Sequence, residues 1–303
     1  MINKKCLVFG ANGYIGSHLV HFLVATGNSV TAFGLRPESI VAGVEYRIVD
    51  IVNPKNLNAI SWDVDVVFVF SGLTGTYAGF QRPQEFLMAN EMGLLNIIES
   101  IANAGFKPRV VFPSTRLVYQ GSDIALREDD PLNPKTIYAA NKLACEHLLH
   151  IYSHSFGIEY TVYRICVPYG NMIGAEYSYG TIGAFISQAR MMGIIKIFGD
   201  GSLRRTFTHV GDLCNQIINS CMQDGSRNET FNISGEDMSL KWVAESIASQ
   251  FGARLEYVPF PDRDLRIESG HTVFNSTKIQ RLFPFRPIHT IENWLEGLSN
   301  AGH

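Results

Sequence analysis

Short apolar runs of strand length alternate with longer helical patterns from the first residues onward: CLVFG, a helix from Tyr14 to about Thr26, SVTAFG, EYRIVDI, DVVFVFSG, a helix from about Pro83 to Ala104, RVVFPST, a helix from Tyr138, and EYTVYRICVP. This rhythm constrains the fold more than any other feature. Strands separated by helices need crossover connections, which are right-handed and place helices on the faces of a parallel sheet. The pattern predicts an α/β fold with a doubly wound parallel sheet over residues 1–170. After VPYG the rhythm changes. GTIGAFISQARMM, IKIFGDG, RRTFTHVGDL, LKWVAESIASQF and TIENWLEGL predict a smaller α/β lobe over residues 171–303, with some elements crossing back to the first and a cleft between. The 303 residues suffice for both.

FGANGYIGSHL places Gly10, Gly13 and Gly16 at the turn from the first strand into the first helix. Gly10 permits the tight turn, Gly13 lets backbone approach a pyrophosphate, and Gly16 allows close helix-to-strand packing, with the helix N-terminus facing the anion. Position after the first strand is what turns a glycine pattern into a Rossmann-type dinucleotide site.

TIYAANKLACEHLL sets Tyr138 and Lys142 four residues apart, on one helix face. An ordinary phenol, with a pKa of about 10, is a poor base at neutral pH. An ammonium at roughly 4 Å and an effective dielectric near 20 would favour the phenolate by up to about 4 kcal/mol, on the order of three pKa units. Taken alone, such a pair is ordinarily a buried tyrosine and a solvated lysine. Its surroundings decide.

The Gly-x-x-Gly-x-x-Gly spacing together with YAANK resembles the extended short-chain dehydrogenase/reductase superfamily. VVFPSTRLVYQ, MANEMGLLNIIES, FGDGSLRRTFTHVGDL and FNISGEDMSLKWVAESIA are similar, in the right order, to segments of its nucleotide-sugar epimerases, dehydratases and reductases. The resemblance implies Tyr138 as general acid/base, Lys142 as the group that lowers its pKa and binds the nicotinamide ribose, and Thr115 as the residue orienting the substrate oxygen beside Ser114. It implies cofactor contacts at Gly10, Asn12, Gly13, Tyr14, Ile15 and Gly16, at Asp50 and Ile51, at Phe70, Ser71 and Gly72, and at Asn90, Tyr138 and Lys142. Arg204, Arg205 and Arg266 are the implied contacts to a nucleotide-diphosphate sugar.

The chain also departs from the family's pattern. Gly34 stands where NAD-preferring relatives carry an acidic residue, and Arg36 follows two residues on. Loss of a carboxylate removes repulsion against a 2′-phosphate, and an arginine forks onto one, so NADP(H) is expected, with NAD(H) as the alternative. Thr115 is followed by Arg116 and Leu117 rather than by the carboxylates that elimination of water needs, which argues against sugar dehydration. Val167 replaces an asparagine that relatives use for the diphosphate. The expectation is an NADPH-dependent 4-keto-6-deoxy nucleotide-sugar reductase in surface-polysaccharide precursor synthesis. The alternatives are a C4 epimerase retaining its cofactor and, more remotely, a catalytically idle nucleotide-binding protein.

Composition excludes other classes. Net charge is −3 and Lys and Arg form no run, so a nucleic-acid groove is not expected. The apolar run after the initial MINKK stops at Gly10, too short for a signal segment or membrane span, and no membrane association is expected. Cys6, Cys145, Cys166, Cys214 and Cys221 show no paired spacing and read as reduced core thiols of a cytoplasmic protein. The nine histidines lack metal-ligand spacing, so no metal site is expected, and His18 and His21 read as surface residues of the first helix. A homodimer is the expected assembly.

Overall fold

The computed structural model describes residues 1–174 and 179–300. It divides into two compact units. Unit 1 comprises Met1–Val118, Leu132–Arg164 and Cys214–Phe231, and unit 2 comprises Tyr119–Pro131 with the described parts of Ile165–Leu213 and of the chain from Asn232 onward.

Unit 1 is built on a seven-stranded sheet. Its strands are β1 (Lys5–Phe9), β2 (Ser29–Gly34), β3 (Glu45–Ile48), β4 (Val66–Val69), β5 (Arg109–Thr115), β6 (Tyr160–Ile165) and, later in the chain, β10 (Glu229–Asn232). Their order is β10-β6-β5-β4-β1-β2-β3. β1 pairs in parallel with both β2 and β4, so the order reverses there, and the crevice beyond the strand ends at such a switch point is where doubly wound sheets bind ligands. β4, β5 and β6 are buried at every residue, as parallel strands covered on both faces must be. Phe9 stacks on Phe33 at 4.6 Å and on Trp62 at 6.1 Å between ring centroids. All five cysteines are buried, and among the described residues none forms a disulfide.

The helices that position the site are α1 (Tyr14–Ala25), α2 (Thr76–Gln81), α3 (Pro83–Leu87), α4 (Gly93–Ala104) and α5 (Ile137–Phe156). Thr136 caps α5 by accepting the Ala139 amide at 3.1 Å, and Gly157 ends it in the left-handed conformation. The single helix expected from Pro83 to Ala104 is interrupted by a π turn at Met88–Met92. One extra residue in that turn swings Asn90 inward, where its side chain accepts from Leu73 N and donates to Leu73 O. His18, expected on the surface, is buried, with Nδ1 2.7 Å from Tyr14 O.

Unit 2 holds β7 (Val167–Tyr169), β8 (Ile194–Phe198), β9 (Arg204–His209), β11 (Glu236–Ser239) and β12 (Arg254–Val258), in a three-stranded sheet β11-β9-β7 and a two-stranded sheet β12-β8. Its helices are α6 (Gly180–Met192), α8 (Leu240–Phe251), α9 (Asp262–Ile267), α10 (Thr277–Leu282) and α11 (Ile291–Asn300), while α7 (Val210–Ser220) runs across the boundary between the units in the sequence. The run EYTVYRICVP is therefore two strands in two sheets, split at Cys166. Residues 214–231 return to unit 1. Buried Arg109 explains that return, because its guanidinium donates to Cys221 O and Ser226 Oγ at 3.0 Å each. No helix among the described residues is long and apolar enough to cross a membrane.

α1 lies so close to β1 that a Cβ on Gly16 would collide with Gly10 O, whereas a Cβ on Gly13 would stand 3.1 Å from the same oxygen. Gly16→Ala is expected to lower stability by about 1–3 kcal/mol, the usual cost of overpacking, and Gly13→Ala by much less. Paired thermal unfolding measurements check the difference.

Candidate active site

The glycine turn sits at the switch point. Gly10 has φ +81°, and a Cβ there would run into the Phe70–Ser71 peptide, so only glycine brings the end of β1 against the segment after β4. The Gly10 and Ala11 amides both donate to Phe33 O at 3.0 Å, and Gly13 N donates to Gly10 O at 2.9 Å. α1 then starts at Tyr14 and Ile15 behind Gly13, which supplies no side-chain cap, so the positive end of a twelve-residue helix faces the turn. Ser71 Oγ is buried and has no hydrogen-bond partner in the chain. An orphaned hydroxyl, a helix N-terminus and a cradle that any Cβ would fill fit the pyrophosphate and ribose of a dinucleotide.

Phe70, Ser71, Gly72 and Asn90 come together with this turn. Gly72 (φ +137°) lies against Asn90 Oδ1, which also holds the Leu73 amide at 2.7 Å. Asp50 and Ile51 follow β3: Asp50 Oδ1 accepts from Val52 N at 3.0 Å, and Ile51 is buried against Gly93. Asn12 ties the turn to the loop after β2, its Nδ2 donating to Glu38 O at 2.8 Å and its Oδ1 accepting from Ile40 N at 2.9 Å.

At the end of β2 the absent side chain of Gly34 has been replaced from the neighbouring strand. A Cβ on Gly34 would stand 2.7 Å from the Tyr46 hydroxyl, which donates to Arg36 O at 2.8 Å and accepts from Asn12 Nδ2 at 3.1 Å. Arg36 itself is exposed. Burial raises the Tyr46 pKa above its ordinary value, so a neutral hydroxyl occupies the position where a carboxylate was expected to be missing.

The groups expected to react lie at the end of β5 and the start of α5. Ser114 and Thr115 are buried, and Thr115 Oγ1 accepts from Leu117 N at 3.3 Å. Tyr138 is half-buried, and Lys142, one turn on, is buried with Nζ 5.9 Å from the Tyr138 ring centroid and 4.3 Å from that of Phe112. Desolvation pulls the Lys142 pKa down to about 8, while Cys145 and Glu146 pull the other way. An ammonium so placed, still charged at neutral pH, can favour a nearby phenolate, and a tuned phenol can give or take a proton at a substrate oxygen. The short turn Arg116–Val118 after Thr115 carries no carboxylate.

Sequence reasoning missed the groups behind this pair. Glu146 accepts from Ser114 Oγ and takes both forks of Arg164, Nε at 3.1 Å and Nη2 at 2.7 Å. Asn141 donates to Glu91 of the π turn. The signal was available for Glu146, because it continues the Tyr138–Lys142 stripe by another four residues; Arg164 and Glu91 come from other elements, which spacing does not reveal.

The arginines expected to meet substrate belong to unit 2. Arg205 is 2% exposed, and its guanidinium donates to Glu268 at 2.6 Å and to the Gly270 and Arg204 carbonyls. Arg204 pairs with Asp237 at 2.8 Å on an exposed edge, and Arg266 is exposed on α9. Glu268 thus answers the charge of Arg205 inside the unit. Among the described residues no cluster of three His, Cys, Asp or Glu side chains could hold a metal.

A family model described as the NAD dependent epimerase/dehydratase family matches residues 6–234. A UDP-glucuronate 4-epimerase of Thermodesulfobacterium geofontis is 28% identical over 97% of this chain and 94% of its own. A UDP-N-acetyl-alpha-D-glucosaminuronate decarboxylase of Bacillus cytotoxicus is 28% identical over 86% of this chain and 84% of its own. Among solved structures, the UDP-glucuronic acid 4-epimerase of Bacillus cereus, in complex with UDP-glucuronic acid and NAD, superposes with a TM-score of 0.82 at 24% identity over 98% of both chains, a likeness of fold.

Lys142 makes stability depend on pH in a defined window. Below about pH 8 the amine is charged in both folded and unfolded chains, and its burial opposes folding. Between about 8 and the ordinary value of 10.5 the unfolded chain still binds the proton that the folded chain has released, so stability rises with pH. Measured against Lys142→Met, the wild-type chain is expected to gain up to about 3 kcal/mol across that window. Denaturant unfolding of both proteins at stepped pH reads the gain.

Proposed function

The chain belongs to the NAD-dependent epimerase/dehydratase family, and from that membership we propose that it is an enzyme acting at C4 of a nucleotide-activated hexose, as a C4 epimerase. The observation that carries this reading is the buried Lys142 one helical turn from Tyr138, beside Thr115 at the end of β5. Tyr138 moves the proton on the sugar's C4 oxygen, Thr115 orients that oxygen, and Lys142 keeps the phenol ready to act as base or acid. Gly10, Gly13, Gly16, Ser71 and Asn90 would hold a nicotinamide dinucleotide, which when bound would accept and return the hydride. The epimerase reading takes precedence over the expected reductase because the relatives named above are a 4-epimerase and a decarboxylase of UDP-sugars. Dehydration is disfavoured by the lack of a carboxylate after Thr115.

Arg205, buried and matched by Glu268, and Arg204, paired with Asp237, are weaker partners for a sugar nucleotide's diphosphate than the sequence implied, and exposed Arg266 is the better candidate in unit 2. One observation keeps the 4-keto reductase as a second reading. Gly34 leaves no carboxylate at the end of β2, and exposed Arg36 offers a 2′-phosphate a cation, which suits NADPH.

Four measurements test these readings. UDP-glucuronic acid and UDP-glucose, incubated with the enzyme without added cofactor, are expected to invert at C4, followed by NMR. Net oxidation of NADPH by a 4-keto nucleotide sugar, with no inversion of 4-hydroxy sugars, would make the reductase the working assignment. Tyr138→Phe is expected to lower turnover by about 10² to 10⁴, and full turnover in that variant would remove the mechanism. If Arg36 grips a 2′-phosphate, calorimetry of Arg36→Ala should show NADPH binding weakened by about 1.5–3 kcal/mol and NADH unaffected; equal losses would withdraw the NADP assignment.

A further inference from the structure

Two charges are buried behind Lys142 in unit 1: the side chains of Glu146 and Arg164 are 8% and 5% exposed. Arg164, on β6, grips Glu146 with two donors, and Ser114, on β5, donates to the same carboxylate. One carboxylate on α5 therefore joins three elements. The joined elements carry the reactive groups, since Ser114 immediately precedes Thr115 and Glu146 continues the helix stripe of Tyr138 and Lys142.

Stability alone gives little reason for such a pair, because well-packed apolar residues at a buried ion-pair site are often as stable or more so. Direction is what an ion pair adds. A carboxylate held by a guanidinium fork has a fixed orientation, and a serine donating to it is fixed in turn. We propose that Glu146 is a positioning residue: its carboxylate, clamped by Arg164 and Ser114, sets where Tyr138 and Lys142 stand against the Ser114–Thr115 end of β5. The inference rests on the acid/base reading of Tyr138 given above.

Few ionisable groups face Lys142. α5 itself contributes Tyr138, Cys145 and Glu146, β6 contributes Arg164 beyond Glu146, and Glu91 of the π turn acts on Cys145. β5 contributes the uncharged Phe112 and Ser114. Removing the charge of Glu146 takes away an anion that keeps Lys142 protonated, and a less protonated Lys142 supports the Tyr138 phenolate less.

The test uses the purified full chain and needs no substrate. Ultraviolet difference titration against Tyr138→Phe isolates the ionisation of Tyr138. In Glu146→Gln that ionisation is expected to move to higher pH by about one unit. A second variant, Glu146→Leu with Arg164→Leu, guards against loss of folding: it is expected to recover thermal stability while keeping the Tyr138 titration displaced. A wild-type titration in either folded variant would overturn the inference and leave the acid/base reading standing. An ordinary tyrosine titration in the wild-type chain would overturn both.

Discussion

Lys142 carries a positive charge into the interior of unit 1, and much of the site's architecture follows from keeping it there. Burial drives its pKa toward neutrality, yet the ammonium lies 4.3 Å from the Phe112 ring centroid and within the field of Glu146. A ring face and a carboxylate lower the cost of a desolvated cation without neutralising it. That requires α5 to lie directly on β5, and the helix's buried face from Ala139 to Leu149 and the wholly buried β5 meet the requirement. Tyr138 gains its chemical interest from the same packing, since a phenol beside a solvated lysine would feel little of its charge.

The glycine turn solves a different problem by subtraction. Gly10 and Gly16 let the end of β1, the start of α1 and the Phe70–Ser71 peptide approach more closely than any side chain allows. What remains is a surface of backbone amides at a helix N-terminus, which attracts an anion without placing a formal charge in the protein. Gly34 shows that subtraction can be answered elsewhere. The space it leaves is taken by the Tyr46 hydroxyl from β3, so the environment at the end of β2 belongs to two strands that are distant in sequence and neighbours in the sheet.

Unit 2 answers the two arginines that begin β9 with carboxylates of its own. Buried Arg205 is matched by Glu268 and by carbonyl oxygens, and Arg204 by Asp237. A guanidinium that is nearly inaccessible must satisfy its donors internally, and it then fastens the 268–270 segment to β9.

The alternation of apolar runs and helical patterns was enough to predict the parallel sheet, because period and length are local properties that parallel pairing turns into topology. The glycine spacing and the Tyr138–Lys142 interval were likewise legible, each lying within one turn or one helix. The sequence could not show that EYTVYRICVP changes sheets at Cys166, that a π turn inserts Asn90 beneath Leu73, or that His18 is buried. Nor could it show that Tyr46 fills the gap at Gly34, or that Arg205 is answered by Glu268 rather than left open to a ligand. Those outcomes depend on which distant groups share a dielectric and a hydrogen-bond partner. Spacing along one element fixes a face, but the junction of Ser114, Glu146 and Arg164 exists only after three elements have packed, which tertiary structure alone decides.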